Sequence, residues 1–256
     1  MRRRRRSASR GSLGGDRVGA PPCQALSSAR LIKITGMLAR FAKSAYWWLV
    51  HPLLRRLGGL ASPKEKSRTL IEYGRRHGTP TLVETGTYQG TTVAACVPHF
   101  ERLYTIELDR TLYEAARDRF KNEPTVTVIH GDSYAELSRV ASRLQEPAIF
   151  WLDAHYCAGP TAKGPHDPPL LWELRAIVER GKPDVILIDD AHHMGVEPGW
   201  FDQWMRRIFL RRMLPAGPDY PKIEEIREIV GGRARTFEVQ RDIIRIKLAA
   251  RPDPSS

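Results

Sequence analysis

Cysteine is scarce in this chain. Its 256 residues hold three, Cys23, Cys96 and Cys157, with no CxxC pair and no zinc-ligand spacing. That argues against a disulfide framework or a zinc ribbon and suits a reducing, cytoplasmic setting. No run of 18 apolar residues occurs, so a membrane-spanning helix is not expected. The first 20 residues are rich in Arg, Gly and Ser and lack an apolar core, which does not read as a secretory signal. GxGxxG is also missing, so the pyrophosphate of a nicotinamide dinucleotide has no glycine cradle. The residues after position 60 lack net charge as well: they carry 28 Lys/Arg against 28 Asp/Glu. The whole formal charge of +12 therefore sits in residues 1–60, where 13 Lys/Arg face the single acid Asp16. A basic tail of that kind attracts phosphate or anionic lipid without base specificity. The neutral remainder has no electrostatic reason to bind nucleic acid.

Three regions follow. Residues 1–30 read as a disordered Arg-rich tail. Residues 31–60 read as a basic amphipathic helical segment. Leu31, Ile34, Leu38, Phe41, Ala45, Trp48, Leu49 and Leu53 recur at helical spacing among Lys33, Arg40, Lys43, Arg55 and Arg56. Such a helix can lie in a membrane interface, here the inner face, through residues 31–58. It can equally dock on protein, either this chain or a second copy in a homo-oligomer. Residues 61–256 read as one α/β domain. Ser62-Pro63 opens a helix to about His77. Strands are then expected at 81–83, 103–106, 125–129, 149–152 and 185–188. Helices are expected between them, at 90–96, 109–120, 133–144 and 169–180. A helix at 223–230 precedes two β-rich runs, 236–240 and 243–248, joined by Arg241-Asp242 as a tight antiparallel hairpin. Strands alternating with helices predict a doubly wound, mostly parallel sheet. Residues 199–214 form a second basic amphipathic stretch, either a lid, a contact surface or plain packing.

Chemistry gathers at the predicted strand ends. The first strand runs into Glu84-Thr85-Gly86-Thr87-Tyr88-Gln89-Gly90. Gly86 allows a tight turn and close approach by a ligand, and Gly90 lets the next helix start near the strand. Glu107 ends the second strand, 23 residues after Glu84, where an acid can accept both hydroxyls of a ribose. Gly131-Asp132-Ser133 ends the third, where Asp132 can reach an adenine amino group or simply cap the next helix. Asp153 and His155 end the fourth strand; Asp189, Asp190, His192 and His193 end the fifth. Three carboxylates there make a hard, oxygen-rich site suited to Mg²⁺. Capping or salt bridging by Asp189 and Asp190 is the plainer reading. A Gly/Pro-rich loop over 158–169, with Lys163 and His166, belongs above this edge.

With these residues in order, the chain resembles the class I S-adenosylmethionine-dependent methyltransferases over about 80–248. Glu84-Thr85-Gly86-x-x-x-Gly90 is similar to their first motif, Glu107 to their ribose acid, and Gly131-Asp132-Ser133 to their adenine-side segment. The resemblance implies a Rossmann-like, doubly wound, seven-stranded, mostly parallel sheet with an antiparallel C-terminal hairpin. It also implies S-adenosylmethionine as cofactor, held by Glu84, Gly86, Thr87, Gly90, Glu107, Asp132, Ser133 and Asp153. Within the superfamily the chain is most similar to metal-dependent O-methyltransferases of the macrocin and catechol types. These place one Asp after strand four and an acidic pair after strand five. Asp153, Asp189 and Asp190 would then hold Mg²⁺, and His155 would stand in the general-base position of the Asp-x-Asp-x-Tyr run. The expected acceptor is a hydroxyl of a small molecule or glycan. A metal-free enzyme of the same fold and a non-catalytic, membrane-tethered binding module are the alternatives. No Asn/Asp-Pro-Pro-Tyr/Phe motif follows strand four, and specific nucleic-acid recognition is not expected.

Overall fold

The computed structural model describes residues 61–153, 169–194 and 220–252. The segment 1–60, His155, the 158–169 loop up to residue 168, and the 199–214 stretch lie outside the described residues, as do the side chains of His192 and His193. No helix among the described residues is long and apolar enough to cross a membrane.

Helix α1 (Pro63–His77) begins where Ser62 predicts it. Glu65 N donates to Ser62 Oγ at 3.3 Å, and Ser62 N donates to Glu65 Oε2 at 2.9 Å. This reciprocal box satisfies donors the first turn would otherwise leave open. Gly78, left-handed at φ 59°, ends the helix. There follow β1 (Thr81–Thr85), α2 (Thr91–Cys96), β2 (Arg102–Glu107), α3 (Arg110–Arg119), β3 (Val126–His130), α4 (Ser133–Arg143), β4 (Ile149–Leu152), α5 (Leu170–Glu179) and β5 (Val185–Ile188). Helix α6 (Ile223–Val230) leads to β6 (Ala234–Gln240) and β7 (Ile243–Leu248). The strands form one sheet in the order β3-β2-β1-β4-β5-β7-β6. β7 runs antiparallel to β5 and β6, and the other pairings are parallel. The expected seven-stranded sheet with a reversed C-terminal hairpin is the one found. β1 runs two residues beyond the expected 81–83, and β6 starts at Ala234 across a register shift next to Thr236.

β4 and β5 read Ile-Phe-Trp-Leu and Val-Ile-Leu-Ile and are buried along their whole length, as parallel strands covered on both faces should be. Alternation along the strands divides the core in two. Val83, Phe150, Leu152, Ile186 and Ile188 pack with Leu137, Leu174 and Ile226 of α4, α5 and α6. Leu82, Ile149, Trp151, Val185 and Leu187 pack with Leu70, Tyr73, Val93 and Ala116 of α1, α2 and α3. Each large apolar side chain fully removed from water contributes about 2 kcal/mol.

At the amino edge of the sheet, buried Arg180 closes the α4–α5 layer. It donates to the carbonyls of Ala141 (3.0 Å), Leu144 (2.8 Å) and Glu146 (3.0 Å) and to Asp184 Oδ1 (2.7 Å). Asp184 also accepts from Ala148 N at 2.9 Å. The pair is 4% and 0% exposed, so removing one partner strands a charge in the interior. Arg180→Ala is expected to lower unfolding free energy by about 3 kcal/mol. Urea denaturation checks this, and a loss under about 1 kcal/mol contradicts the clamp.

Candidate functional site

The chain leaves β1 for β2 and β3, then returns to pair β4 beside β1. The crevice at the carboxyl ends of β1 and β4 is therefore the topological switch point, where ligands bind in open α/β sheets. The parallel ladder runs one bond past the strands: Asp153 N donates to Thr85 O (3.2 Å) and Asp189 N to Leu152 O (3.1 Å). That fixes both Asp residues in register. Side chains alternate along a strand, so Glu84, Thr105, Glu107, Asp153 and Asp189 fall on the face covered by α1, α2 and α3. Thr85 falls on the other face, toward α4 and α5.

The turn after β1 carries Gly86 at φ 84° and Gly90 at φ 67°. Both conformations favour glycine. A Cβ on Gly90 would meet the Phe120 ring at 2.8 Å, so this glycine lets α2 close onto α3. Glu107 is buried and held from both sides: Tyr88 N donates to Oε2 at 2.8 Å and Asp109 N to Oε1 at 2.9 Å. Each oxygen keeps a lone pair for a further donor. Beneath the turn, Thr87 and Thr105 share a hydrogen bond of 2.6 Å, and Thr105 Oγ1 donates to Glu84 Oε2 at 2.6 Å. The Thr87 hydroxyl thus works inside the fold. Burial pushes Glu84 up to about 8, against the Thr105 hydrogen bond and with the help of the Glu107 charge.

Asp132 does cap α4, its Oδ1 accepting from Tyr134 N at 2.9 Å. Its Oδ2 is buried with no partner among the described residues, an acceptor left for something else. Ser133 is buried against a residue the sequence reading passed over, Glu173 on α5. Glu173 is 1% exposed, and burial pushes it up to about 7 against the Ser133 hydroxyl. Thr85 Oγ1 faces it without completing a hydrogen bond of good geometry.

Asp153, Asp189 and Asp190 each offer a carboxylate oxygen within 4.8 Å of the others. Asp190 stands in the left-handed region at φ 54°, unusual for a residue with a side chain. The ammonium of Lys66, from α1, hydrogen-bonds Asp189 Oδ2 inside this cluster. It lies 6.0 Å from the centroid of Trp151. Burial raises Asp153 and Asp189 above the ordinary carboxylate range. Their neighbouring acids raise them further, and Lys66 pulls them down. Burial works against the Lys66 charge, but Asp153, Asp189 and Asp190 together raise its pKa above the usual lysine value. The salt-bridged reading of Asp189 is thus what the fold contains. Lys66 had a signal in the sequence: it sits at i, i+4 and i+7 spacing with Leu70 and Tyr73, in the stripe that α1 buries.

Among solved structures, the chain is similar to an SAH-bound methyltransferase of Podospora anserina, with 13% identity and a TM-score of 0.50 over 90% of this chain and 100% of that one. It is also similar to an O-methyltransferase of Bacillus cereus in complex with SAH, with 13% identity and a TM-score of 0.49 over 84% and 100%. No protein-family model and no curated protein matches the chain. The fold is that of the Rossmann-like methyltransferases.

Glu84 and Glu173 generate a pH dependence. Unfolded, each loses its proton near 4.5; folded, they keep it to about 8 and about 7. Stability is therefore greatest below the unfolded value and falls as pH rises through this window, by at most about 1.4 kcal/mol per pH unit for each group. For the ligand-free protein the urea midpoint is expected to drop between about pH 5 and 8. Glu84→Gln is expected to flatten that slope; an unchanged slope would show that Glu84 ionises freely in the fold.

Proposed function

We propose that this chain is an S-adenosylmethionine-dependent methyltransferase acting on a hydroxyl of a small molecule or glycan. The observation that supports the reading is the placement of Glu84, Glu107, Asp132 and the Asp153–Asp189–Asp190 cluster at or next to the carboxyl ends of the neighbouring strands β3-β2-β1-β4-β5. A sulfonium nucleoside with an amino-acid tail suits this edge for three reasons. It has no pyrophosphate to demand the second glycine of GxGxxG, whose place Tyr88 takes. Its ribose hydroxyls match the Glu107 carboxylate, already held by Tyr88 N and Asp109 N. Its adenine amino group matches the orphan Asp132 Oδ2. The open backbone at Gly86 and Gly90 and the acids Glu84 and Asp153 would receive the cationic methionine end, with Thr87 and Ser133 supporting the turn and the α4 start.

Methyl transfer is an in-line displacement: an acceptor oxygen attacks the sulfonium methyl carbon, the carbon–sulfur bond breaks, and the acceptor proton leaves to a base. Most of the rate then comes from positioning. In the resemblance to macrocin-type enzymes, His155 holds the base position, and an imidazole suits proton removal near neutral pH. Taken alone, the carboxylates of Asp153, Asp189 and Asp190 are the kind of donor set that would hold a hard divalent ion such as Mg²⁺ and would let it lower the pKa of an acceptor hydroxyl, but in the fold Lys66 already hydrogen-bonds Asp189. The acids themselves orient the acceptor.

Calorimetry with S-adenosylmethionine is expected to show one binding event per chain, weakened roughly tenfold or more by Glu107→Ala. An absence of heat, or affinity unchanged in the variant, sinks the cofactor reading. His155→Ala is expected to lower turnover by about 10²-fold while leaving cofactor affinity close to wild type; an unchanged rate removes its assigned role.

A further inference from the structure

We propose that Lys66 is the resident cation of the Asp153–Asp189–Asp190 cluster. It stands in the place a divalent ion would take and holds the acids for the acceptor without one. The inference rests on the reading of this cluster as the acceptor side of the crevice.

Lys66 is the fourth residue of α1, near its amino end, and comes from 123 residues away from Asp189 in sequence. A cation near the start of a helix is disfavoured by the aligned peptide dipoles. A lysine there would ordinarily reach for water, yet this side chain is only 20% exposed and its partner Asp189 is 1% exposed. The acid cluster is what holds it. The placement is also anchored from outside. Ser62 boxes the first turn with Glu65, and Glu65 pairs with Arg241 at the tip of the β6–β7 hairpin. The neighbouring Asp242 carbonyl accepts from Ala191 N at 3.0 Å, just beyond the Asp189-Asp190 pair. One helix turn, the hairpin tip and the end of β5 thus form a single frame around the ammonium.

Three ligand atoms within 4.8 Å of one another enclose room for one cation. A divalent ion that took Asp189 Oδ2 as a ligand would displace Lys66, breaking a charge-assisted hydrogen bond in a poorly solvated place. With Lys66 on Asp189, the cluster stands at the sheet edge where the proposed cofactor would bring its own positive sulfonium. The acids are then served by an ammonium on one side and a sulfonium on the other, and Mg²⁺ becomes dispensable.

The test uses the full chain as wild type, Lys66→Gln and Lys66→Arg, with Mn²⁺ as probe in a paramagnetic-resonance titration. Thermal melting is run in Mg²⁺ and in chelator, and calorimetry with S-adenosylhomocysteine runs alongside. Wild type and Lys66→Arg are expected to bind Mn²⁺ weakly and to melt at the same temperature in Mg²⁺ and chelator. Lys66→Gln is expected to bind Mn²⁺ roughly tenfold tighter or more and to be restabilised by Mg²⁺. Wild type binding Mn²⁺ as tightly as Lys66→Gln overturns the proposal, as does a folded Lys66→Gln that gains no metal affinity. If Lys66→Gln does not fold, wild type decides alone: Mn²⁺ retained through desalting overturns the proposal, and none retained supports it. Loss of the S-adenosylhomocysteine signal in wild type would sink the cofactor reading instead and leave the Mn²⁺ results standing.

Discussion

Acids brought together at the ends of adjacent parallel strands must be neutralised, and the rest of this structure is arranged around that need. Carboxylates within 4.8 Å repel by about 3–4 kcal/mol per pair at the effective dielectric of a protein site. Asp153 and Asp189 cannot move apart, because the sheet ladder holds their amides on Thr85 and Leu152. Nor can their side chains turn to different faces, since strand alternation puts both under α1. A counter-cation has to arrive from the helix that covers that face. Lys66 is that cation, and the capping box and the Glu65–Arg241 pair keep its helix turn where the charge is needed.

The opposite wall of the crevice is built differently. Glu107 is fixed by two backbone amides rather than by a side-chain cation. Glu84 is supported by one hydroxyl, itself bonded to another. Both carboxyls are oriented, and Glu84 keeps its proton up to about 8, which leaves oriented oxygens on this wall for a ligand with hydroxyls to donate. The ligand-free state bears the cost as raised carboxyl pKa values at Glu84 and Glu173, whose charged forms are kept from water. A site built this way gives up stability for a prepared charge pattern.

Much of this was legible from the chain. Buried-strand runs ending in acids, a turn with glycines four apart and an acid 23 residues on predicted the sheet and its carboxyl-edge crevice. Helix caps at Ser62 and Asp109 fell where expected, because a cap is a contact between residues three apart. The longer β1, the bulged start of β6 and the inward use of the Thr87 hydroxyl were not foreseen. Each depends on a neighbour supplied by another strand. Lys66, Glu173 and Arg180 were missed for a related reason: a charged residue in a helical pattern looks solvated until the element it packs against is known.

What the sequence by itself determined is local and periodic: which segments are strands, where helices start, and which residues share a face. Those follow from spacing, branching and capping within a few residues. Only the tertiary structure decided that α1 lies over the ends of β4 and β5, so that one lysine meets Asp189, and that α5 brings Glu173 beneath β1 against Ser133. Pairing of charges across more than a hundred residues depends on strand order and on which helix covers which face. Chain periodicity carries neither, whereas the buried charges need both.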